Sequence, residues 1–410
     1  MKSIQKNNFI WNMLGSIAGA ATTVLLTMIA TRISGPEEGG VLGLALGLCF
    51  IVGTVGMFEV RPFQSTDLSE EFTFPVYCTA RYLCCAVMLL FTAIYLILAG
   101  YDANKAQIVF WVCMFKMVDC LSDVFQGRFQ QIGRLDLAGQ MLFVRNVCSV
   151  ITFAAALLLG ATVAQSCVAI VLVSVLCVLL GDWRIDRRFD NSRCSKNFLE
   201  TIKLLKKCFP LFISSFVAMY LANITKLQID HYLPQYNAHW TAVFLPAAVI
   251  NLFSLFVFRP MLTTLTKYWT QGEGKAFLRL GGLLVLWILA ITGFALLFGY
   301  FWGTPVLGFL YGLDLAPWRG VLELILVGGG INALAIMFYY MLTVMRQQKL
   351  LLVSDGLTFL AAIFFVPLLT EFWGVNGAAF SFILIMIIRS SGFLLIIVTS
   401  VQAQRRRGWK

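Results

Sequence analysis

The sequence predicts an all-α polytopic membrane protein with about twelve transmembrane helices, arranged as two lobes of about six helices each. Its 410 residues are 60% hydrophobic and 12% charged, whereas soluble domains contain about 45–50% apolar and about 25% charged residues. Apolar runs long enough to cross a bilayer recur along the whole chain. One long polar segment, Gly181–Lys207, separates two similar sets of these runs, as expected of a transporter built from two related lobes.

Each apolar run of some twenty residues predicts one transmembrane helix. The predicted limits are 10–32, 40–60, 79–99, 106–126, 137–159, 161–181, 208–230, 240–262, 278–300, 319–344, 350–370 and 374–398. Turn-forming sequences such as Ser34-Gly35-Pro36 lie between several of them. We therefore predict an N-terminal lobe over residues 1–190, a basic cytoplasmic linker over 191–207 and a C-terminal lobe over 208–410.

The distribution of basic residues predicts that both termini are cytoplasmic. With the N-terminus inside, most of the 31 Lys and Arg residues fall in predicted cytoplasmic segments, and the outer segments hold only Arg32, Lys105 and Arg319. Positively charged loops remain on the cytoplasmic side of membrane proteins. This bias also explains the net charge of +11, so we expect no nucleic-acid partner.

The stretch Val109–Arg134 is apolar enough to enter a membrane in its first half, yet it carries Lys116, Asp119 and Asp123. At helical spacing these three charges share one face. A charge at the bilayer centre costs about 3 kcal/mol on insertion scales, so such a face turns toward a bundle interior or a water-filled cavity. Asp119 and Asp123 are therefore candidates for proton or sodium coupling, and a static pair between Lys116 and Asp119 is the structural alternative.

Several stretches resemble a known transporter family. The opening Asn8–Asp67 contains the turn Arg32–Gly39, with the sequence RISGPEEG, and Asp119–Leu137 and Phe309–Gly312 continue the likeness. Together they resemble the polysaccharide transporter family of the multidrug/oligosaccharidyl-lipid/polysaccharide exporter superfamily. The resemblance implies two six-helix lobes around a central cavity, alternating access, and no enzymatic activity.

The same resemblance implies a substrate and a location. Members of this family are flippases that move undecaprenyl-pyrophosphate-linked oligosaccharide repeat units to the outer leaflet, for O-antigen, capsule or exopolysaccharide synthesis. The implied location is the bacterial cytoplasmic (inner) membrane. The implied partners are the isoprenoid-linked oligosaccharide and membrane lipids, with other polysaccharide-assembly membrane proteins as further candidates.

A pyrophosphate crossing the membrane requires cations in the cavity wall. Arginine holds phosphate oxygens in a bidentate fork, and lysine acts as a point charge. Four cations within predicted spans are candidates for pyrophosphate binding: Lys116, Arg145, Arg259 and Arg389. Arg259 precedes Pro260 near the predicted inner interface, so it could instead extend its charge out of the bilayer.

Two further features lie near predicted helix ends. Lys226 and Asp230 are four residues apart at the outer end of the seventh span. They form either a pair that closes the outer side of the cavity or an ordinary salt bridge at a helix end. Arg32 follows the first span, and we place it at the outer mouth.

Composition and motifs also restrict the alternatives. The sequence lacks a Walker A run and the His-Glu-x-x-His and Gly-x-Ser-x-Gly patterns, so we expect no cofactor and no metal site beyond possible coupling ions. A cation-coupled multidrug antiporter on the same scaffold is the main alternative, because acids also occur within the spans. A membrane glycan polymerase is less consistent with the short predicted outer loops.

Overall fold

A computed structural model describes residues 2–67, 71–187, 198–258 and 261–406. Within these ranges every long regular element is a helix and there is no strand, which confirms the all-α polytopic prediction. Nine of the described helical segments are long and apolar enough to cross a membrane. The chain is therefore a multi-pass membrane protein.

The helices of the first half follow the predicted spans, with a short helix, α3, after the second span and another, α8, after the sixth. They are α1 (Lys2–Ser34), α2 (Pro36–Met57), α3 (Val60–Thr66), α4 (Phe74–Ala99), α5 (Ala103–Gln131), α6 (Leu135–Leu158), α7 (Val163–Cys177) and α8 (Trp183–Asp186). A π-helical turn, Val178–Asp182, joins α7 to α8.

The second half has the same character, with two short helices, α11 and α13, between the long ones. The helices are α9 (Phe198–Tyr232), α10 (Asn237–Phe258), α11 (Leu262–Thr270), α12 (Gly274–Phe298), α13 (Thr304–Tyr311), α14 (Arg319–Val344) and α15 (Gln348–Arg406). A second π-helical turn, Gly299–Gly303, joins α12 to α13.

The helices form two compact units, Met1–Asn223 and Ile224–Lys410. The division falls inside α9, whereas the sequence places the boundary in the linker 191–207. Residues 191–197 of that linker lie outside the described residues, and residues 198–207 form the first turns of α9. The orientation of the termini stays a prediction.

In the first unit α1 packs along α6, and α2 packs along α5. Small residues allow the closest approach: a Cβ added at Gly15 would lie 2.7 Å from the carbonyl oxygen of Gly139, and one at Gly139 would lie 2.3 Å from the backbone of Trp11. Without a hydrophobic force between helices in lipid, close backbone packing of this kind holds them together. Helix α2 has the largest share of buried residues among the unit's apolar candidate spans.

The second unit is organised around α14, which contacts α10, α12 and α15. Its three consecutive glycines each accept a neighbouring side chain: Phe382 lies against Gly328, Ala247 against Gly329 and Thr292 against Gly330. The contacts indicate close packing.

Helix α15 contains the last two predicted spans. It breaks at Gly374, where φ is +60° and ψ is −136°, a conformation that glycine adopts without steric cost. Asp355 and Arg389, on either side of the break, form an ion pair of 3.0 Å. The two arms of α15 therefore run antiparallel and side by side.

Candidate functional site

The first unit holds two groups of paired charges along α5. We call them the Asp119 cluster, formed by Lys116, Asp119 and Arg145, and the Asp123 cluster, formed by Arg61, Arg81 and Asp123. The helix α5 carries Lys116, Asp119 and Asp123. The arginines come from other helices: Arg61 from α3, Arg81 from α4 and Arg145 from α6.

In the Asp119 cluster one carboxylate is shared by two cations. Lys116 Nζ lies 2.7 Å from Asp119 Oδ2, and Arg145 Nη2 donates to Asp119 Oδ1. The Arg145 side chain is only 3% exposed, whereas that of Asp119 is 28% exposed. The carboxylate therefore neutralises a buried guanidinium and still reaches open space. Gly53 of α2 makes room for the lysine, because a Cβ there would lie 2.9 Å from the Lys116 stem.

That open space is a cavity of about 270 Å³ between α1, α2, α5 and α6. Its polar wall contains Lys116 and Asp119 together with Thr22, Thr23 and Asn146, and the rest is largely apolar. The cavity thus presents one positive and one negative group side by side. A charged ligand or ion entering it would compete with an existing ion pair.

In the Asp123 cluster two arginines hold one carboxylate. Arg61 Nη1 lies 2.9 Å from Asp123 Oδ1, and Arg81 Nη2 lies 2.7 Å from Asp123 Oδ2. Arg81 is fully buried and also donates to the carbonyl oxygens of Gly56 and Met57 at the end of α2. These carbonyls lack partners within their helix, so Arg81 fixes the end of α2 and orients Asp123.

A third carboxylate, Asp182, lies in the π-helical turn after α7 and is only 2% exposed. Ser122 Oγ of α5 donates to its Oδ2 at 2.7 Å. Its Oδ1 is buried and has no hydrogen-bond partner among the described residues. Arg145 Nη1 is likewise buried and without a partner in the described part of the chain.

The second unit contains the predicted cation Arg389. Its Nε donates to Asp355 Oδ1 at 3.0 Å, and both side chains are at most 5% exposed. The guanidinium also lies 5.3 Å from the ring of Phe393. Arg389 is therefore neutralised by its own carboxylate within the unit.

The remaining candidates are placed as follows. Lys226 lies 5.7 Å from the ring of Phe244, and Asp230 is buried and accepts a 2.7 Å hydrogen bond from Asn237. Arg32 is exposed in the last turn of α1. Arg259 lies outside the described residues, and the roles of all these side chains stay predictions.

Sequence reasoning missed three members of the site. The distribution of basic residues assigns Arg61 and Arg81 to cytoplasmic segments, where they only determine topology. Asp182 lies one residue beyond the predicted sixth span. A single arginine within the apolar run after Pro75 and an acid directly after Gly181 are the signals that could have identified Arg81 and Asp182. Within the described ranges no group of three or more His, Cys, Asp or Glu residues could hold a metal ion.

Comparison with known proteins gives a likeness in structure alone. No protein-family model matches the chain, and no curated protein matches it. An inward-facing multidrug resistance MATE family transporter of the MOP superfamily superposes with a TM-score of 0.70 at 13% identity, covering 95% of this chain and 96% of that one. The chain has the MATE fold.

Two further solved structures with the MATE fold agree with this assignment. A mutant Vibrio cholerae MATE transporter gives a TM-score of 0.60 at 12% identity, with 100% of this chain and 98% of that chain covered. An outward-facing multidrug resistance MATE family transporter gives 0.59 at 14% identity, with 97% and 95% covered. These neighbours are described as transporters.

Proposed function

We propose that this chain is an ion-coupled exporter that works by alternating access on the MATE scaffold. The observation that carries the proposal is the Asp119 carboxylate, which binds Lys116 and Arg145 and also faces a cavity. An ion or substrate that takes one partner changes the electrostatic balance of the other two. A conformational change coupled to binding needs such differential contacts.

The arrangement of charge favours organic cations as the substrate class. A pyrophosphate site needs cations that are available to phosphate oxygens, yet Lys116 and Arg145 share Asp119 and Arg389 binds Asp355. Removing one partner from a buried ion pair costs about 3–5 kcal/mol. The neighbours are described as multidrug resistance transporters, which supports export of small compounds. Export of cationic compounds, which requires no available cation in the cavity, is therefore the first candidate.

A lipid-linked oligosaccharide flippase is the second candidate. It is supported by the resemblance of Asn8–Asp67 and Asp119–Leu137 to the polysaccharide transporter family. Its substrate would be an undecaprenyl-pyrophosphate-linked repeat unit for O-antigen or capsule synthesis, moved across the bacterial inner membrane with surrounding lipids as contacts. In that case Arg61 and Arg145, held by Asp123 and Asp119, would exchange these carboxylates for phosphate oxygens.

Two assays separate the candidates. Energised everted vesicles containing the chain are supplied with ethidium in the medium to measure its uptake, because export into the lumen of an everted vesicle corresponds to export from the cell. A deletion in the native host is examined for accumulated isoprenoid-linked sugars. Uptake driven by an ion gradient supports the drug exporter, and accumulated complete repeat units support the flippase. If neither effect is observed, the exporter proposal is overturned.

A matched pair of variants ties the function to the site. Asp119→Asn removes the shared carboxylate charge, and we expect export to fall to background. Asp102→Asn makes the same charge change at the start of the same helix, where Asp102 accepts from the backbone N–H groups of Asn104 and Lys105. Asparagine is an equally good N-cap residue, so export by this control is expected to stay unchanged.

A further inference from the structure

We propose that Asp182 is a proton-binding site and that Arg145 moves between Asp119 and Asp182 according to whether Asp182 carries a proton. This inference rests on the proposed ion-coupled function and names its ion and its acceptor. The coupling residues expected from the sequence are Asp119 and Asp123. Asp182, which lies in the π-helical turn after α7, is not one of them.

The two coupling acids expected from the sequence already form ion pairs. Asp119 binds Lys116 and Arg145, and Asp123 binds two arginines, with one cation on each carboxylate oxygen in both cases. A carboxylate that accepts from two cations is held in its charged form. Each of these acids therefore already has its negative charge balanced by two neighbouring cations.

Asp182 has the opposite surroundings. It is 2% exposed, it forms no ion pair among the described residues, and its only described donor is the uncharged hydroxyl of Ser122. Ser122 in turn accepts from Gln126 Nε2 at 2.9 Å, so its hydroxyl hydrogen is directed toward Asp182. Burial without a cation disfavours the ionised form of a carboxyl group. A proton on Oδ1, which has no described partner, relieves that penalty.

The charged groups around Asp182 define how the proton would act. They are Arg145 on α6, Asp119 on α5 and Asp186 in the following turn, while Arg128 lies 3.3 Å from Asp186 and Cys177 is the nearby thiol. Arg128 neutralises Asp186, so within the described ranges Arg145 is the cation placed to respond to Asp182. Its Nη1 is buried and has no partner in the described ranges.

These contacts give a two-state arrangement. When Asp182 is protonated, it is neutral and Arg145 stays on Asp119. When the proton leaves, the new negative charge attracts Arg145, which weakens its bond to Asp119 and leaves that carboxylate to Lys116 and the cavity. One proton is bound or released in each change, and no other covalent bond is altered.

A pH titration by infrared difference spectroscopy of the purified full chain in lipid tests the site without any transported substrate. A protonated carboxyl group has a carbonyl band that the ionised form lacks. Other carboxyl groups of the 20 Asp and Glu residues also titrate, so we expect the wild type to show on acidification one such band that Asp182→Asn lacks. Asp186→Asn is the matched control, because it removes a nearby paired carboxylate and is expected to leave the band in place.

Two further variants keep the test independent of whether Asp182→Asn folds. Ser122→Ala removes the donor to Oδ2 and should shift the frequency of the band. Arg145→Met removes the cation that stabilises the ionised carboxylate, so the band should then appear at a higher pH, whereas Arg145→Lys should largely restore the wild-type titration.

A wild-type band that is absent or does not change with pH overturns the proposal. So does a band that persists in Asp182→Asn or does not respond to Arg145→Met, and a band shifted by sodium at constant pH would replace the proton with sodium. If the spectra are as expected but no gradient drives export, the proton site stands and the proposed exporter function fails.

Discussion

The two units each bury a carboxylate against an arginine, but the surroundings differ. Asp119 of the first unit binds two cations, has a side chain 28% exposed and lines a cavity. Asp355 of the second unit has a side chain 1% exposed and binds Arg389, whose side chain is 5% exposed. A Cβ on the neighbouring Gly392 would lie 2.3 Å from Ser354, so the arms of α15 leave no space beside this pair. The same chemistry is thus accessible in one unit and sealed in the other, which suits binding in the first and stability in the second.

The largest expected effect is on the sealed pair. Asp355→Ala leaves Arg389 buried without its carboxylate, and we expect the free energy of unfolding to fall by about 3–5 kcal/mol. Thermal unfolding of the purified protein in detergent measures this loss. The double variant Asp355→Leu/Arg389→Met should recover most of the stability, and a double variant as unstable as the single one would contradict this interpretation.

Substitution of the accessible carboxylate, Asp119, should affect export more than stability. Asp119→Asn keeps one oxygen that can accept from Lys116 or Arg145, and the side chain of Asp119 is 28% exposed, so solvent replaces part of the lost contact. We expect a stability loss of about 1–3 kcal/mol, smaller than that of Asp355→Ala. Export is expected to be lost all the same. Unfolding and vesicle transport measured on the same preparation separate the two effects, and a collapse in stability equal to that of Asp355→Ala would remove the distinction between the units.

A substitution that displaces Lys116 should have a smaller effect on export. Gly53→Ala places a methyl group 2.9 Å from the Lys116 stem, and the flexible stem should shift away from Asp119. We expect export to fall severalfold, with stability changed by no more than about 1 kcal/mol because alanine favours the helix. Transport kinetics in vesicles measure the change.

Gly282→Ala is the matched control for that substitution. Nothing lies within 4 Å of a Cβ at Gly282 of α12, so this change should leave export unaltered and stability unchanged or slightly raised. Equal transport defects in the two glycine variants would show that the position of Lys116 is not what matters.

Hydropathy was sufficient to predict most of the fold. Apolar runs set the long helices, and the glycine at the start of the last predicted span, Gly374, is where α15 reverses. Periodicity also placed Lys116, Asp119 and Asp123 together on α5, because side chains three and four residues apart share a helix face.

The partners of these charges were beyond the reach of the sequence. Arg145 and Asp119 are 26 residues apart, and Arg81 and Asp123 are 42 residues apart, so their contacts depend on which helices pack together. Hydropathy counts a cation in a span without showing whether an acid on another helix neutralises it. Four candidate phosphate ligands were inferred in this way, and the three within the described residues, Lys116, Arg145 and Arg389, are each bound to a carboxylate.

The antiparallel arms of α15 have a consequence for biosynthesis. Asp355 emerges from the ribosome 34 residues before Arg389, and an ionised carboxylate alone in the bilayer is costly. The two arms should therefore enter the membrane together as a hairpin with Gly374 at its tip, each neutralising the other. A chain that ends between Gly374 and Arg389 would carry Asp355 in its last span without Arg389. We therefore expect poor insertion for truncations between Gly374 and Arg389 and normal insertion for those beyond Arg389.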